Sequence, residues 1–422
     1  MAGAEPGPIV VDGVFFQHRV TTGVARVWQS HLQEWVKSGF ARRLLLLDRG
    51  GAPRLPGLRT RSLARWDPDR TAEDSLLLQR VCDEEGAALF VSTYYTAPIS
   101  TPSLMLVYDL IPERLGLDMS DPSWTEKRLA VEHASSYACI SENTLKDLHE
   151  LEPTSRGKPA HVTTLGVEEH FRPTSADDVA AFLTARGIQR PYFLLVGERR
   201  GRDGYKNTEL LFRALHDSSE LSECEVVCVG GRPNIEPELR LAGPEVRTHR
   251  FSLSDAELRF AYAGAIALVY PSRYEGFGLP VAEAMACGCP VITTKLASLP
   301  EVAGDAALYV DPDDPQELRQ ALDAVREPDR RAAMVAAGMS RASAFRWSQA
   351  SAAFASALSG AASAETAEQR RARDAAWRPR REAQAAGQRK RRNSVQRLKS
   401  AAMRYLPSRA VVLLRSRTRI FN

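Results

Sequence analysis

The sequence lacks the features of a membrane-spanning, secreted or disulfide-stabilised protein. None of its apolar runs approaches the roughly 18–20 residues that a membrane-spanning helix needs. Its first residues, MAGAEPGPIVVDG, contain no basic segment followed by an apolar core, so we expect no secretory signal. Only six cysteines occur among 422 residues, and most lie in apolar runs. This favours free, buried thiols in a reducing cytoplasm.

Metal ligands and cofactor motifs are also scarce. Cys224 and Cys228 have no second Cys or His pair at zinc spacing, which disfavours a structural zinc site. No Asp-x-Asp motif ends a predicted strand, and residues 311–314 are better interpreted as a turn. No Gly-x-Gly-x-x-Gly follows the first predicted strand, which disfavours an NAD enzyme. We therefore expect neither a metal nor a cofactor.

Charge divides the chain into a mildly acidic body and a basic tail. From residue 361 onward there are 17 Lys and Arg against 4 Asp and Glu, whereas the preceding residues hold 39 basic and 48 acidic side chains. The overall net charge of +4 therefore describes neither part.

Short apolar runs alternate with helix-like stretches throughout the body. The predicted strands are Ile9–Phe16, Leu44–Leu47, Leu89–Val91, Leu104–Asp109, Tyr137–Ile140, His161–Leu165, Tyr192–Val196, Glu225–Val229, Thr248–Phe251, Ala267–Tyr270, Val291–Thr294 and Leu308–Val310. This alternation predicts an α/β protein with two doubly wound parallel sheets, in domains 1–175 and 176–345. Ligands of such sheets bind at the carboxyl ends of the strands, so we expect a cleft between the domains.

The most informative stretch runs from Tyr270 to Thr294, YPSRYEGFGLPVAEAMACGCPVITT. A buried strand ends in a loop containing Gly276 and Gly278, and a helix follows. Glycines let a ligand approach the backbone, and a helix N-terminus offers free N–H groups and positive potential to a phosphate. Glu275 and Glu283 supply carboxylates that can accept bonds from sugar hydroxyls. Taken alone, Glu283 is better interpreted as a first-turn acid that stabilises the helix dipole.

This stretch resembles the Glu-x7-Glu signature of the family-4 retaining glycosyltransferases of GT-B fold, the glycosyl transferases group 1. The resemblance implies that Glu275 and the amides of residues 276–279 (Gly276, Phe277, Gly278 and Leu279) contact the donor sugar. It implies that Glu283 holds the ribose of the nucleotide.

A second match, LLVGERRGRDGYKNTELL, follows another predicted strand. It resembles the family segment in which a strand ends at a glycine, here Gly197, and an Arg and a Lys clamp the diphosphate. Lys206 matches the Lys. Arg199 or Arg200 matches the Arg, and Arg199 is favoured. A solvated basic loop is the alternative interpretation. Gly23 resembles the glycine whose turn brings backbone amides towards the diphosphate.

The resemblance places the acceptor against the first domain. Tyr108 and Asp109 lie in a segment similar to the family's Val-His-Asp-Leu-Ile-Pro-Glu, with Tyr108 in place of the His. Tyr94 and Tyr95 also follow a predicted strand, where core packing and acceptor contact are equally good interpretations. Phe345-Arg346-Trp347 resembles the start of the final helix, here 346–360, which crosses back to the first domain.

The function implied is metal-independent, retaining transfer of a mannose- or glucose-type hexose in polysaccharide biosynthesis. The donor would be a nucleotide sugar, GDP-mannose or a UDP-hexose, and the acceptor a glycan or a lipid-linked sugar. An epimerase of the same fold is disfavoured because such epimerases do not carry the Glu-x7-Glu stretch. A catalytically degenerate scaffold protein is the alternative, since Tyr108 and the basic loop depart from the family pattern.

Residues 361–422 form the basic tail, which we expect to be partly disordered or an interfacial helix rather than another domain. Arg389–Arg392 precede Val395, Leu398, Ala402 and Tyr405, which recur at helical spacing. Residues 389–421 could thus dock on an anionic membrane, on the inner face of the plasma membrane. A solvated, disordered tail is the alternative. Nucleic acid is disfavoured because aromatic residues are sparse there.

Overall fold

The computed structural model describes residues 7–18, 23–119, 122–199, 204–216, 218, 221 and 223–405, with only the backbone described at 122–123 and 399–405. The strands of the first half are β1 (Ile9–Asp12), β2 (Leu44–Asp48), β3 (Arg59–Ser62), β4 (Leu89–Ser92), β5 (Ser103–Val107), β6 (Ser136–Cys139) and β7 (Ala160–Val162). They form a parallel sheet in the order β3-β2-β1-β4-β5-β6-β7.

The second half repeats this architecture with six strands. They are β8 (Tyr192–Val196), β9 (Glu225–Val229), β10 (Thr248–Phe251), β11 (Ala267–Tyr270), β12 (Val291–Thr294) and β13 (Ala307–Val310). The order β10-β9-β8-β11-β12-β13 is again parallel throughout. The predicted α/β fold with two doubly wound sheets is confirmed. The sequence does not predict β3, because the Arg-Thr-Arg-Ser of this edge strand has no apolar alternation and is mostly exposed.

Helices cover both sheets. In the first half they are α1 (Gly23–Ser38), α2 (Thr71–Glu84), α3 (Ile111–Arg114), α4 (Pro122–His133) and α5 (Glu142–Leu151). In the second half they are α6 (Ala176–Arg186), α7 (Glu209–Leu215), α8 (Pro237–Ala242), α9 (Asp255–Gly264), α10 (Leu279–Ala286), α11 (Leu299–Ala303), α12 (Pro315–Ala324) and α13 (Pro328–Ala342). Two more, α14 (Trp347–Ala364) and α15 (Ala367–Tyr405), follow the second sheet.

Helix α14 returns to the first domain and packs against α1. The indole of Trp35 donates to the carbonyl of Ser351 (2.9 Å), and Nδ1 of His31 lies 2.9 Å from the Ser351 hydroxyl. The ring of Phe354 packs on both His31 and Trp35. Burial lowers the pKa of His31 to about 3, so the imidazole is neutral and belongs to the packed core.

Helix α15 differs from the expected tail. Between residues 370 and 392 it is packed against the first domain, with Trp377 buried beside Leu129 and Ile99. The buried guanidinium of Arg381 pairs with Glu126 (2.7 Å). The expectation of disorder or an interfacial helix is therefore wrong for this part, because it buries an aromatic ring and a paired charge. Residues 406–422 lie outside the described part of the chain.

All six cysteines are free and buried, as predicted. Burial raises the pKa of Cys82 to about 12 and likewise raises the pKa of Cys139 and Cys228, so these side chains stay as unreactive thiols. Across the described residues, no helix combines the length and the apolar character needed to cross a membrane.

Candidate active site

The carboxyl ends of β8 and β11 bring together two of the residues predicted to act on the donor. These strands are neighbours at the point where the strand order of the second sheet reverses. Lys206 follows β8 and Glu275 follows β11, and their side chains meet with Nζ 2.6 Å from Oε1. Parallel sheets bind ligands at such a reversal, so the pair lies where a donor would be expected.

The Lys206–Glu275 pair is fixed and mostly buried. The Lys206 ammonium also lies 3.2 Å from the Tyr270 hydroxyl. Burial disfavours the ammonium, but the Glu275 carboxylate and the adjacent tyrosines raise the pKa of Lys206 well above its ordinary value. The Tyr205 ring lies against the same ammonium, with its centroid 5.1 Å from Nζ. Lys206 therefore presents a permanent positive charge held between Glu275 and two tyrosines.

The loop carrying Glu275 is held by hydroxyl groups beneath it. Ser298 donates to the carbonyls of Glu275 and Phe277 (both 2.9 Å), and Thr294 donates to the carbonyl of Ser272 (2.6 Å). The Phe277 ring is buried edge-on against Phe345, with centroids 5.5 Å apart. Its side chain thus belongs to the core, and only its backbone could serve the donor contact predicted for residues 276–279.

Glu283 is buried in the first turns of α10, and both of its oxygens are engaged. Arg26 from α1 donates to Oε1 (2.7 Å), and the Tyr262 hydroxyl donates to Oε2 (3.0 Å). Burial raises the pKa of Glu283, and Arg26 opposes that rise. The sequence did not assign a partner to Glu283, because Arg26 lies 257 residues away on the other domain. The ion pair therefore joins the two domains at the predicted ribose site.

The predicted glycines serve different local purposes. A Cβ at Gly276 would lie 1.9 Å from the carbonyl oxygen of Tyr108, so the glycine allows the two domains to touch. Gly278 caps α10 at φ +103, in the left-handed region that favours glycine. Among the residues that the structure describes, none comes within 4 Å of a Cβ added at Gly197 or at Gly23, the first residue of α1. These described neighbours therefore leave room beside both backbones.

Arg199 does not join the Lys206–Glu275 pair. Its buried guanidinium is bound to Glu236 (2.7 Å) and to the carbonyls of Gly230, Arg232 and Asn234. The predicted diphosphate role of Arg199 is therefore corrected: its donors are committed to the loop after β9. The other candidate, Arg200, lies outside the described residues.

A cavity of about 540 Å³ separates the domains beside this site. The four predicted acceptor-side residues all line it, as do residues of the second domain such as Tyr205 and Arg232. Tyr94 is the most exposed of its tyrosines, and its ring lies 3.9 Å from that of Tyr95 and 5.2 Å from that of Phe15. The sequence did not identify Phe15, Trp124 or Tyr205 as lining residues, since only the fold brings them here.

Tyr108, which replaces the family His, is fixed by its own domain. Its hydroxyl accepts a hydrogen bond from the Trp28 indole and donates to the carbonyl of Thr93 (3.3 Å). Asp109 accepts a bond from the backbone N–H of Ile111 (3.1 Å) and is partly exposed to the cavity. Tyr108 thus offers the cavity its ring, whereas Asp109 still has a carboxylate oxygen to offer a ligand.

A second group of contacts closes one side of the cleft. The Glu301 carboxylate accepts from the backbone N–H groups of Glu142 (2.8 Å) and Asn143 (2.7 Å), the first residues of α5. Tyr274 donates to Asp147 on the same helix (2.6 Å). The second domain therefore caps a helix of the first. Among the described residues, no group of three or more His, Cys, Asp or Glu side chains is arranged to hold a metal ion.

The sequence is similar to proteins of known class. The family described as glycosyl transferases group 1 matches residues 190–327, which contain Lys206, Glu275 and Glu283. The chain is 30% identical over 329 residues to D-inositol 3-phosphate glycosyltransferase 1 of Catenulispora acidiphila, covering 72% of this chain and 75% of that protein. It is 45% identical over 94 residues to O-antigen chain mannosyltransferase B of Escherichia coli, covering 22% of this chain but only 25% of that protein.

Solved structures share the two-domain architecture. Sucrose-phosphate synthase from Thermosynechococcus elongatus matches with a TM-score of 0.67 and 19% identity, covering 85% of this chain and 100% of that one. Anabaena HepE in complex with UDP and glucose matches with a TM-score of 0.65 and 15% identity, covering 84% of this chain and 100% of that one. At these identities the similarity establishes the GT-B fold and nothing finer.

Proposed function

The chain belongs to the glycosyl transferases group 1 family, and on that premise we propose that it is a retaining hexosyltransferase. It moves a mannose- or glucose-type sugar from a GDP- or UDP-linked donor to a glycan or lipid-linked acceptor. The observation that carries the proposal is the buried Lys206–Glu275 pair beside the glycine-capped start of α10. Mannose is favoured as the sugar because one of the relatives is named as a mannosyltransferase.

In the proposed reaction these residues stabilise the leaving diphosphate. Negative charge grows on the phosphate as its bond to the anomeric carbon breaks. The Lys206 ammonium and the amides at the start of α10 are fixed before the reaction, so they act as that charge develops. Glu275 would hold the sugar and fix the ammonium. We propose that no metal takes part, since Lys206 supplies the positive charge, and that no cofactor is needed.

The aromatic cavity is proposed as the acceptor site. It lies between the domains next to the Lys206–Glu275 pair, and the Tyr205 ring links the two, with the Lys206 ammonium 5.1 Å from its centroid. Aromatic faces suit the apolar face of a sugar ring, and the Asp109 carboxylate can accept from its hydroxyls. The enzyme would act in the cytoplasm, where free thiols persist.

The donor is tested first by nucleotide binding. We expect GDP or UDP, without added metal, to raise the thermal midpoint of the native chain, because a ligand at 100 times its dissociation constant adds about 2.7 kcal/mol of stability. Glu283→Ala should lose this shift if Glu283 holds the ribose. Glu301→Ala, which removes an interdomain carboxylate that is not bonded to Glu283, is the matched control. Absence of any nucleotide shift, together with absence of turnover, would support the degenerate scaffold instead.

Acceptor binding is tested at Tyr94. Tyr94→Ala should raise the acceptor KM about five-fold with little change in the donor KM, because a stacking contact contributes about 1 kcal/mol. Tyr94→Phe keeps the ring and should behave as the native chain. Initial rates with donor and acceptor varied separately distinguish these cases. An unchanged acceptor KM in Tyr94→Ala would contradict the assignment of this cavity.

A further inference from the structure

Helix α15 extends beyond the domain on which it packs. Its last described contacts are made by Arg392, which bonds to the carbonyl of Asp69 and pairs with Glu73 (both 3.0 Å). Every described side chain from 393 to 398 is exposed. The helix nevertheless continues to Tyr405, which at 1.5 Å per residue carries it about 20 Å past this contact. We call residues 393–405 the overhang.

The overhang lies on the side of the molecule that carries the cleft. At its start α15 contacts the residues that enter β4, since Arg370 donates to the carbonyl of Ala87 (2.8 Å). Near its end Gln388 bonds to Thr71 (2.9 Å), the first residue of α2. Because α2 leads from the carboxyl end of β3 to the amino end of β4, α15 runs antiparallel to it, from the amino edge of the sheet to the carboxyl edge. The cavity and the overhang thus share one edge.

The chemistry of the overhang fits an anionic lipid surface. Val395 and Leu398, 48% and 69% exposed, stand three residues apart and so share a helix face. The helix carries Arg389, Lys390 and Arg391 just before them and Arg397 between them, and no acidic residue follows Glu382 anywhere in the sequence. Apolar side chains flanked by basic ones are the pattern of a helix that lies in a membrane interface. Residues 389–405 contain a single aromatic residue, Tyr405, which is too few for a series of nucleic-acid bases to stack on.

We propose that the overhang of α15, with Arg389–Arg391, docks on an anionic phospholipid surface and turns the carboxyl edge of the first sheet, with its cavity, towards that surface. The packed half of α15 serves as the rigid support, because Trp377 and the Arg381–Glu126 pair fix it to the domain. This proposal goes beyond the transfer reaction and is tested without donor or acceptor.

The first experiment is co-sedimentation of the full chain with vesicles of phosphatidylcholine, with and without phosphatidylglycerol. We expect binding only to the anionic vesicles, weakened by salt. Arg391→Gln/Arg397→Gln should weaken the partition about 25-fold, since each basic contact contributes about five-fold. The matched control is Arg330→Gln/Arg371→Gln, which removes the same charge from exposed sites near the amino edges of the two sheets. It should change the partition less than about two-fold.

A second experiment reports which edge meets the lipid. All native cysteines are buried, so a single introduced cysteine can carry an environment-sensitive dye. On phosphatidylglycerol vesicles, the dye at Ser394→Cys should shift to the blue, and the dye at Glu368→Cys, exposed near the amino edge, should not. Equal binding to both kinds of vesicle, equal losses in the two double variants, or a shift at position 368 alone would overturn the proposal. So would retention of single-stranded RNA by the overhang without vesicle binding.

Discussion

Replacing Lys206 by methionine should lower kcat by about 100- to 1,000-fold, the effect of removing one preorganised donor from a developing oxyanion. The reason is specific to the geometry of this site. Glu275 and Tyr270 already hold the Lys206 ammonium in place, so its charge is positioned without any reorganisation. Because its pKa is raised well above the ordinary value, the charge persists across the whole pH range of an assay. We therefore expect no lysine-dependent fall in rate at alkaline pH.

Lys206→Met also leaves the Glu275 carboxylate buried without its partner, so stability must be separated from catalysis. Lys206→Arg retains a positive charge and should recover part of the activity, whereas Lys206→Met/Glu275→Gln should recover stability without recovering turnover. Lys146→Met, at an exposed lysine of α5, is the control for loss of a lysine. A folded Lys206→Met variant that retains kcat within about ten-fold of the native value would refute the proposed role.

The sequence predicts the fold well where burial alone determines it. Apart from β10, strands β8–β13 are mostly apolar or β-branched residues between turns, and the predicted bounds of five of the six equal the observed ones. The prediction fails where side chains depend on partners distant in the chain. Helix α15 has the composition of a disordered segment, yet Trp377 and Arg381 find an apolar contact and a carboxylate on the first domain. The composition of a segment does not show which distant residues will contact it in the fold.

In the candidate site, too, some features follow from the local sequence and others depend on residues distant in the chain. The pairing of Lys206 with Glu275 follows from two strand ends that must be neighbours in a doubly wound sheet. Arg199 is in the expected loop, but its side chain turns towards Glu236, a partner 37 residues away that the local sequence does not indicate. The four acceptor-side residues of the first domain do meet in one cavity. Their partner Tyr205 comes from the second domain, and the relative placement of domains is not encoded in local pattern.

Arg26→Ala is expected to have the second largest effect, a loss of about 3 kcal/mol of stability at alkaline pH. Removing one partner of a buried ion pair costs about 3–5 kcal/mol because the other charge is left uncompensated. We expect a loss at the lower end of this range because the Arg26 side chain is 27% exposed and so partly solvated, whereas the Glu283 side chain is 2% exposed. For domains of this size the thermal midpoint should fall by about 6–12 °C.

The pH dependence of this loss of stability tests whether the unpaired Glu283 carboxylate is its cause. Burial raises the pKa of Glu283 and Arg26 opposes the rise, so removing Arg26 raises it further. An acid whose folded pKa exceeds its unfolded value binds more protons when folded, so stability falls as pH rises through that interval. The loss of stability in Arg26→Ala should therefore be smaller near pH 5 than near pH 8, as measured by thermal unfolding against the native chain.

The control is Arg26→Ala/Glu283→Gln, in which no unpaired carboxylate remains. It should show a smaller loss of stability that does not vary over this pH range. If the loss of stability is equal at both pH values and is not reduced in the double variant, Arg26 acts through its exposed partner Asp255 instead.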